Sequence, residues 1–318
     1  MKVLLLGKNG MLGSQFEKQL GGLGGSLAGG FEVVALDRDD LDVTDSRAMS
    51  GIFDAVLPDV VVNCTGYTNV DEAEFEKKEA FALNAAAVKN IASLCDKHGA
   101  ILIHFSTDYV FDGHKDVSDG GYKEDAMPNP LNVYGETKFK AEEFIQKEMA
   151  RFFIVRTSWL YGPRPSRPAG AGGGSGGGDV GGSGGGNFVD TMLRLGGEVL
   201  RGEREGLNVV CDQFGSPTYT ADLVRAVIDE FLMKFPDHSP NHLPNFGIYH
   251  LTGDGFCSWY EFAVRIFELA ELRVEVGRIS TAQYRTAAQR PKNSILVNTK
   301  LPKMRKWDEA LGEYLKML

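Results

Sequence analysis

Short apolar runs alternate with helix-period segments through the first half of this chain. The runs at 2–6, 31–36, 59–63, 100–105 and 152–156 are rich in Val, Ile and Leu and predict strands. Between them, apolar residues recur at helical spacing over 11–20, 45–55, 77–97 and 132–149. Strands that are apolar on both faces and alternate with helices predict an α/β fold, a doubly wound parallel sheet covered on both sides. After residue 160 the pattern loosens. Helices are expected at 188–201, 219–234, 258–270 and 307–316, with short strands near 208–210 and 247–251. This second half reads as a smaller α/β lobe over the C-terminal edge of the sheet. The expected division is 1–158 for the sheet domain and 159–318 mainly for the lobe.

Glycine interrupts the pattern twice. Residues 21–30 hold six glycines and residues 170–186 hold twelve, so 18 of the 39 lie in two short stretches and the remainder of the chain has an ordinary glycine content. The segment 164–186 has almost no side chains to bury and is expected to be a flexible surface insertion. It lacks the Gly-Lys-Ser/Thr ending of a phosphate-binding P-loop.

Composition narrows the function classes. The 318 residues suffice for one large domain or two modest ones, and 43% hydrophobic with 24% charged residues is ordinary for a soluble protein. A net charge of −9 argues against general nucleic-acid binding. No run approaches the roughly 18 apolar residues of a membrane span, and the first apolar run is too short for a secretion signal, so the expected location is the cytoplasm. Cys64, Cys95, Cys211 and Cys257 form no C-x-x-C pair and share no metal-ligand spacing with the six histidines. They read as buried thiols, and no metal is expected.

The chemistry begins at the first strand's end. Gly7-Lys8-Asn9-Gly10-Met11-Leu12-Gly13 is a G-x-x-G-x-x-G turn between a strand and a helix. Such glycines allow a tight turn and let backbone N–H groups approach a pyrophosphate, the Rossmann arrangement for a dinucleotide. Asp37 ends the second strand, where a carboxylate can hold the adenosine ribose; Arg38 beside it could accept a 2′-phosphate instead. The pair leaves NADH and NADPH both open. Asp42 and Val43 can border the adenine, although Thr44 or Asp45 would equally serve as an ordinary helix N-cap. Asn63-Cys64-Thr65-Gly66-Tyr67-Thr68 ends the third strand at the crevice where such sheets bind ligands.

Tyr134 and Lys138 are one helical turn apart on a shared face. An ammonium beside a phenol stabilises the phenolate, and with a nearby hydroxyl such as Thr107 and a reduced nicotinamide this is carbonyl-reduction chemistry. Alone, Tyr-x-x-x-Lys fits any amphipathic helix. Together with Ser106-Thr107-Asp108-Tyr109-Val110-Phe111-Asp112-Gly113, Pro130 to Lys138, Arg156-Thr157-Ser158-Trp159-Leu160-Tyr161-Gly162, Asp212 to Thr218 and Arg290-Pro291-Lys292-Asn293-Ser294, it resembles the extended short-chain dehydrogenase/reductases and, within them, the dTDP-4-dehydrorhamnose reductase family. The resemblance spans the chain apart from the glycine-rich stretches.

The resemblance implies reduction of the C4 ketone of a dTDP-4-keto sugar by NADPH or NADH, in nucleotide-sugar synthesis for surface polysaccharide. It implies that Gly10, Met11 and Leu12 face the pyrophosphate and that Asp37, Asp42 and Val43 hold the adenosine half. Gly66, Tyr67, Thr68 and Phe105 would line the path to the nicotinamide. Tyr134 would donate the proton, Lys138 would bind the nicotinamide ribose and tune Tyr134, and Thr107 would replace the superfamily's usual Ser. Trp159, Thr107 and Asp108 would touch the sugar, although Trp159 by itself fits a core residue. Arg290 and Lys292 are candidates for the diphosphate. The sequence leaves room for Mg2+, which no motif supports, and the expected assembly is a monomer or homodimer. A nucleotide-sugar epimerase or dehydratase of the same superfamily, or a regulatory subunit like the methionine adenosyltransferase beta subunit, is the alternative reading.

Overall fold

Five of the expected apolar runs form parallel strands: β1 (Lys2–Leu6), β2 (Glu32–Leu36), β3 (Val60–Asn63), β4 (Ile101–Thr107) and β5 (Phe152–Thr157). The structure is a computed structural model that describes residues 1–23, 30–163, 165, 187–234 and 245–318. The glycine-rich insertion expected at 164–186 lies outside the described residues apart from Pro165, as does most of the stretch 21–30. Between the strands run α1 (Met11–Leu23), α2 (Ser46–Val56), α3 (Lys77–Phe81), α4 (Ala87–His98) and α5 (Val133–Glu148). Asp45 caps α2 by accepting from the backbone N–H groups of Arg47 and Ala48. The helix expected at 77–97 is one run whose middle, Ala82–Ala86, is a π-helical turn joining α3 to α4.

The second half contributes β6 (Leu160–Tyr161), α6 (Phe188–Leu200), β7 (Leu207–Val210), β8 (Phe214–Gly215), β9 (Thr218–Tyr219), α7 (Thr220–Val227), β10 (Gly247–His250), β11 (Cys257–Ser258), α8 (Trp259–Leu269), β12 (Val276–Ile279) and α9 (Trp307–Leu315). Two of these return to the first half. β10 pairs in parallel with β5, Gly247 opposite Phe153, and completes a six-stranded parallel sheet of order β10-β5-β4-β3-β1-β2. α7 places Leu223, Val224 and Val227 in the same core as Phe16 and Leu20 of α1. Hydrophobic periodicity identifies these segments but carries no information about which sheet they join.

The sheet's two faces carry separate cores. One packs Phe16, Leu20, Val224 and Phe231 against Val3, Val62 and Ile103. The other packs Met49, Phe53, Ile91 and Ile145 against Leu4, Val61 and Leu102. A third core, with Phe188, Met192, Phe262, Ile266, Leu311 and Tyr314, belongs to α6, α8 and α9. The chain runs from β1 outward to β2 and then crosses to β3 on β1's other side, so the topological switch point lies at the carboxyl ends of β1 and β3. No helix among the described residues is long and apolar enough to cross a membrane.

Candidate active site

A cleft of about 690 Å³ opens at this switch point, between the sheet's carboxyl edge and the third core. Its lining brings together Gly10, Met11, Leu12, Gly66, Tyr67, Thr68, Phe105, Thr107, Asp108, Tyr134, Lys138, Trp159 and Arg290 from distant parts of the sequence. Gly7, Gly13, Asp37, Asp42 and Val43 lie outside that lining. Gly7 and Gly13 act beneath it. Gly7 has φ +85°, and a Cβ on Gly13 would stand 2.0 Å from the Gly7 carbonyl oxygen. Only two glycines let α1 start this close to β1.

At the β2 end, the Asp40 carboxylate accepts from the Asp37 N–H at 3.0 Å and from Lys8 Nζ at 2.7 Å. Asp42 accepts from the N–H and hydroxyl of Thr44, while Val43 is buried beside Leu41 in the core under α2.

The Tyr134 helix is positioned by its first turn. The Asn132 side chain accepts from the Gly135 N–H, the Glu74 carboxylate accepts from the Val133 N–H, and the Asn132 amide donates to the Gln289 carbonyl, each at 2.8 Å. Gly135 is forced by contact, since a Cβ there would lie 2.2 Å from the Tyr109 carbonyl oxygen. That approach sets the Tyr134 ring edge-on to Tyr109, with centroids 5.8 Å apart, above the turn that Thr107 caps by accepting from the Tyr109 N–H. Asn84, on the π turn, accepts from the Tyr67 N–H and donates to the Tyr67 carbonyl and the Thr137 hydroxyl. One side chain thus ties the loop after β3 to α5. A π turn at a functional site is a recurring association, but nothing in the residue pattern of 77–97 announces one.

The electrostatics follow from burial. Tyr134's phenol is pushed up to about 12 by burial, with a hydrogen bond from Thr107 working the other way and the Asp108 charge adding to the rise. Lys138 is brought down to about 8 by burial, against the pull of Glu142 and Cys64. The phenol therefore stays protonated at neutral pH while the lysine sits close to its own midpoint. Burial pushes the Asp108 carboxyl up to about 7, although the Ser294 and Thr107 hydroxyls oppose it. Its Oδ2, like Thr157 Oγ1 on the neighbouring strand, is buried without a well-formed partner, and both residues line the cleft. Buried polar atoms left unpaired at a cleft wall are groups that a ligand can satisfy.

Trp159 is held in the left-handed region, φ 48°, and its indole stacks on Trp259 at 3.4 Å between centroids. A Cβ on Gly215 would meet the same indole at 2.4 Å. Non-glycine strain of this kind concentrates at ligand sites. Trp259 belongs to the cleft lining and was not singled out from the sequence. Arg290 reaches the cleft, but its guanidinium makes a two-pronged ion pair with Asp71, at 3.1 and 2.7 Å. Lys292 is exposed and outside the lining.

Beneath the cleft, Glu142 and Arg156 form a fully buried bidentate pair at 2.9 and 2.6 Å, and the Ser106 hydroxyl donates to the same carboxylate. This pair pins α5 to β4 and β5, which carry Thr107 and Thr157.

The family model described as the RmlD substrate binding domain matches residues 1–318. A dTDP-4-dehydrorhamnose reductase of Aggregatibacter actinomycetemcomitans is 36% identical over 306 residues, covering 94% of this chain and 92% of that protein. The spore coat polysaccharide biosynthesis protein SpsK of Bacillus subtilis is 36% identical, covering 99% and 96%. The crystal structure of a dTDP-4-dehydrorhamnose reductase from Bacillus anthracis in complex with NADP superposes with a TM-score of 0.82 at 34% identity, covering 100% of this chain and 99% of that one.

Proposed function

Because the chain belongs to the RmlD family of dTDP-4-dehydrorhamnose reductases, we propose that it reduces the C4 ketone of dTDP-4-dehydro-L-rhamnose to the alcohol with NADPH. The observation that carries this reading is the convergence of Thr107, Tyr134 and Lys138 in one cleft with the glycine turn of α1. The residues present fit the cofactor: the Gly7–Gly13 contact leaves a cradle without side chains, and Gly10, Met11 and Leu12 line it at the positive N-terminal end of α1. Bound NADPH supplies the hydride to C4.

The chain's own residues handle the oxygen. Tyr134 carries its proton at neutral pH and donates it to the oxygen as negative charge develops there. The Thr107 hydroxyl, which donates to Asp108 Oδ1 at 3.0 Å, turns from that carboxyl to donate to the same oxygen as charge appears there. Lys138, in its ammonium form, stabilises the phenolate that proton transfer leaves on Tyr134. Asp108 and Thr157 offer the sugar hydroxyls partners that the protein itself does not satisfy. Trp159, fixed by Trp259 and Gly215, gives the sugar a rigid apolar wall. Arg290 can reach the diphosphate only by loosening its hold on Asp71.

In this reading residues 1–158 hold mainly the cofactor and 159–318 mainly the sugar nucleotide, with α7 and β10 returning to brace the sheet. The protein acts in this reading as a monomer or a homodimer in the cytoplasm. Incubation with NADPH and the keto sugar tests the proposal. One NADPH is consumed per sugar reduced; turnover of the sugar without net loss of NADPH would instead indicate an epimerase or dehydratase.

A further inference from the structure

A buried chain of polar side chains runs from the loop after β3 to Lys138. Asn63 Nδ2 lies 3.3 Å from His104 Nδ1, and His104 Nε2 lies 3.4 Å from Lys138 Nζ. Asn63 and His104 are fully buried and Lys138 is 5% exposed, so the contacts are closed to bulk solvent except at the Lys138 end, which lines the cleft. The amide of Asn63 has only one workable orientation. Its Oδ1 accepts from the Thr65 backbone N–H at 3.0 Å and from the Thr65 hydroxyl at 2.6 Å, and a backbone N–H can only donate. The Asn63 NH2 therefore points at His104 Nδ1 and must donate to it.

The consequence passes along the ring. Burial and the Lys138 charge hold His104 far below the ordinary histidine range, so it carries one ring proton. If Nδ1 accepts from Asn63, that proton sits on Nε2 and faces Lys138. An ammonium has no lone pair to receive it; an uncharged amine does. When Lys138 is protonated, one donor in the chain must face another, either at Nε2 or at Nδ1. The other titratable groups acting on Lys138 are Glu142 on its own helix and Cys64 on the loop after β3, with Tyr134 one turn away, and none of them relieves this mismatch.

We propose that His104 is a positioning residue for Lys138, held by Asn63 in the Nε2–H tautomer so that the network favours the uncharged amine and draws the lysine's proton equilibrium toward the working pH. The coupling itself stands on the hydrogen-bond geometry. Its meaning for turnover rests on the reductase reading, in which the ammonium form of Lys138 is the active one. A merely structural Asn63–His104 contact would affect stability and leave the lysine's titration alone.

The test uses the full chain without substrate. Histidine 15N NMR, with His104 identified by its loss in His104→Gln, reports the tautomer in the wild type. Lysine 13Cε NMR against pH reports the Lys138 midpoint in the wild type and in Asn63→Leu. The expected results are an Nε2–H tautomer and a midpoint that rises by roughly 1–2 pH units in Asn63→Leu, the size of one buried hydrogen-bond mismatch. An Nδ1–H tautomer in the wild type, or an unmoved midpoint in a folded Asn63→Leu protein, would overturn the proposal. If Asn63→Leu does not fold, the wild-type tautomer decides. A midpoint that rises while the basic limb of kcat stays in place would uphold the coupling and remove Lys138 from the proposed mechanism.

Discussion

Replacing Asp108 with Asn tests whether the cleft holds a carboxyl at a cost to the fold. Burial moves this group from its ordinary 3.8 to about 7. A raised carboxyl value means that the folded protein binds more protons than the unfolded chain between those limits. Stability therefore falls as pH rises from about 4 to 7 and levels off above 7. The displacement corresponds to at most ~4 kcal/mol above pH 7 and to nothing below pH 4. The amide introduced by Asp108→Asn would keep the shape and an acceptor for Thr107 while removing the charge. At about 2.1 cal/mol/K of unfolding entropy per residue, a chain of 318 residues turns that ceiling into a Tm rise of roughly 6 °C. Calorimetry of wild type and Asp108→Asn at pH 5 and pH 8 is the assay. The variant should gain several degrees at pH 8, gain much less at pH 5, and lose activity at both. Equal Tm differences at the two pH values, or a variant less stable at pH 8, would refute the reasoning.

Other perturbations follow from the same geometry. Tyr134→Phe should lower kcat by roughly 10²–10⁴, the usual effect of losing a positioned acid, with little change in NADPH affinity by fluorescence titration; wild-type turnover in this variant would remove Tyr134 from the mechanism. Gly13→Ala places a Cβ 2.0 Å from the Gly7 carbonyl oxygen and should weaken NADPH binding at least ~10-fold, a loss of about 1.4 kcal/mol; unchanged binding would show that the turn relaxes freely. Lys138 titrates near 8, so kcat should decline as pH rises through that value and the ammonium is lost. A kcat profile that stays flat well above that midpoint would contradict the role given to its charge.

The sheet domain was legible because its signals are local. Each of the first five strands is built on a short apolar run, with His104 set inside that of β4, and the expected limits lie within two residues of the observed ones. The glycine turn, Thr107, Tyr134 and Lys138 were legible as a pattern of residue types whose chemistry needs that spacing. What stayed hidden depends on tertiary contact. β12 (Val276–Ile279) is a half-buried strand with a charged residue inside it and few apolar neighbours to mark it. The sheet position of β10 is set by packing against β5, which periodicity does not encode. Asn84 matters because a π turn aims it at Tyr67, and His104 because it lies under Lys138; each reads in sequence as one polar residue in a buried element. Arg290 is a candidate for the diphosphate on the sequence alone, and its Asp71 partner, 219 positions away, emerges only in the fold.

In the proposed reaction hydride passes to C4 and Tyr134 supplies the oxygen's proton. The most direct measurement is turnover of dTDP-4-dehydro-L-rhamnose with NADPH carrying deuterium at both hydrogen positions of nicotinamide C4, in ordinary water, with the product examined by NMR. The expected product carries one deuterium at C4 of the sugar in the wild type, and the same label at a greatly reduced rate in Tyr134→Phe. A product without deuterium at C4, or label at another sugar carbon, would contradict it.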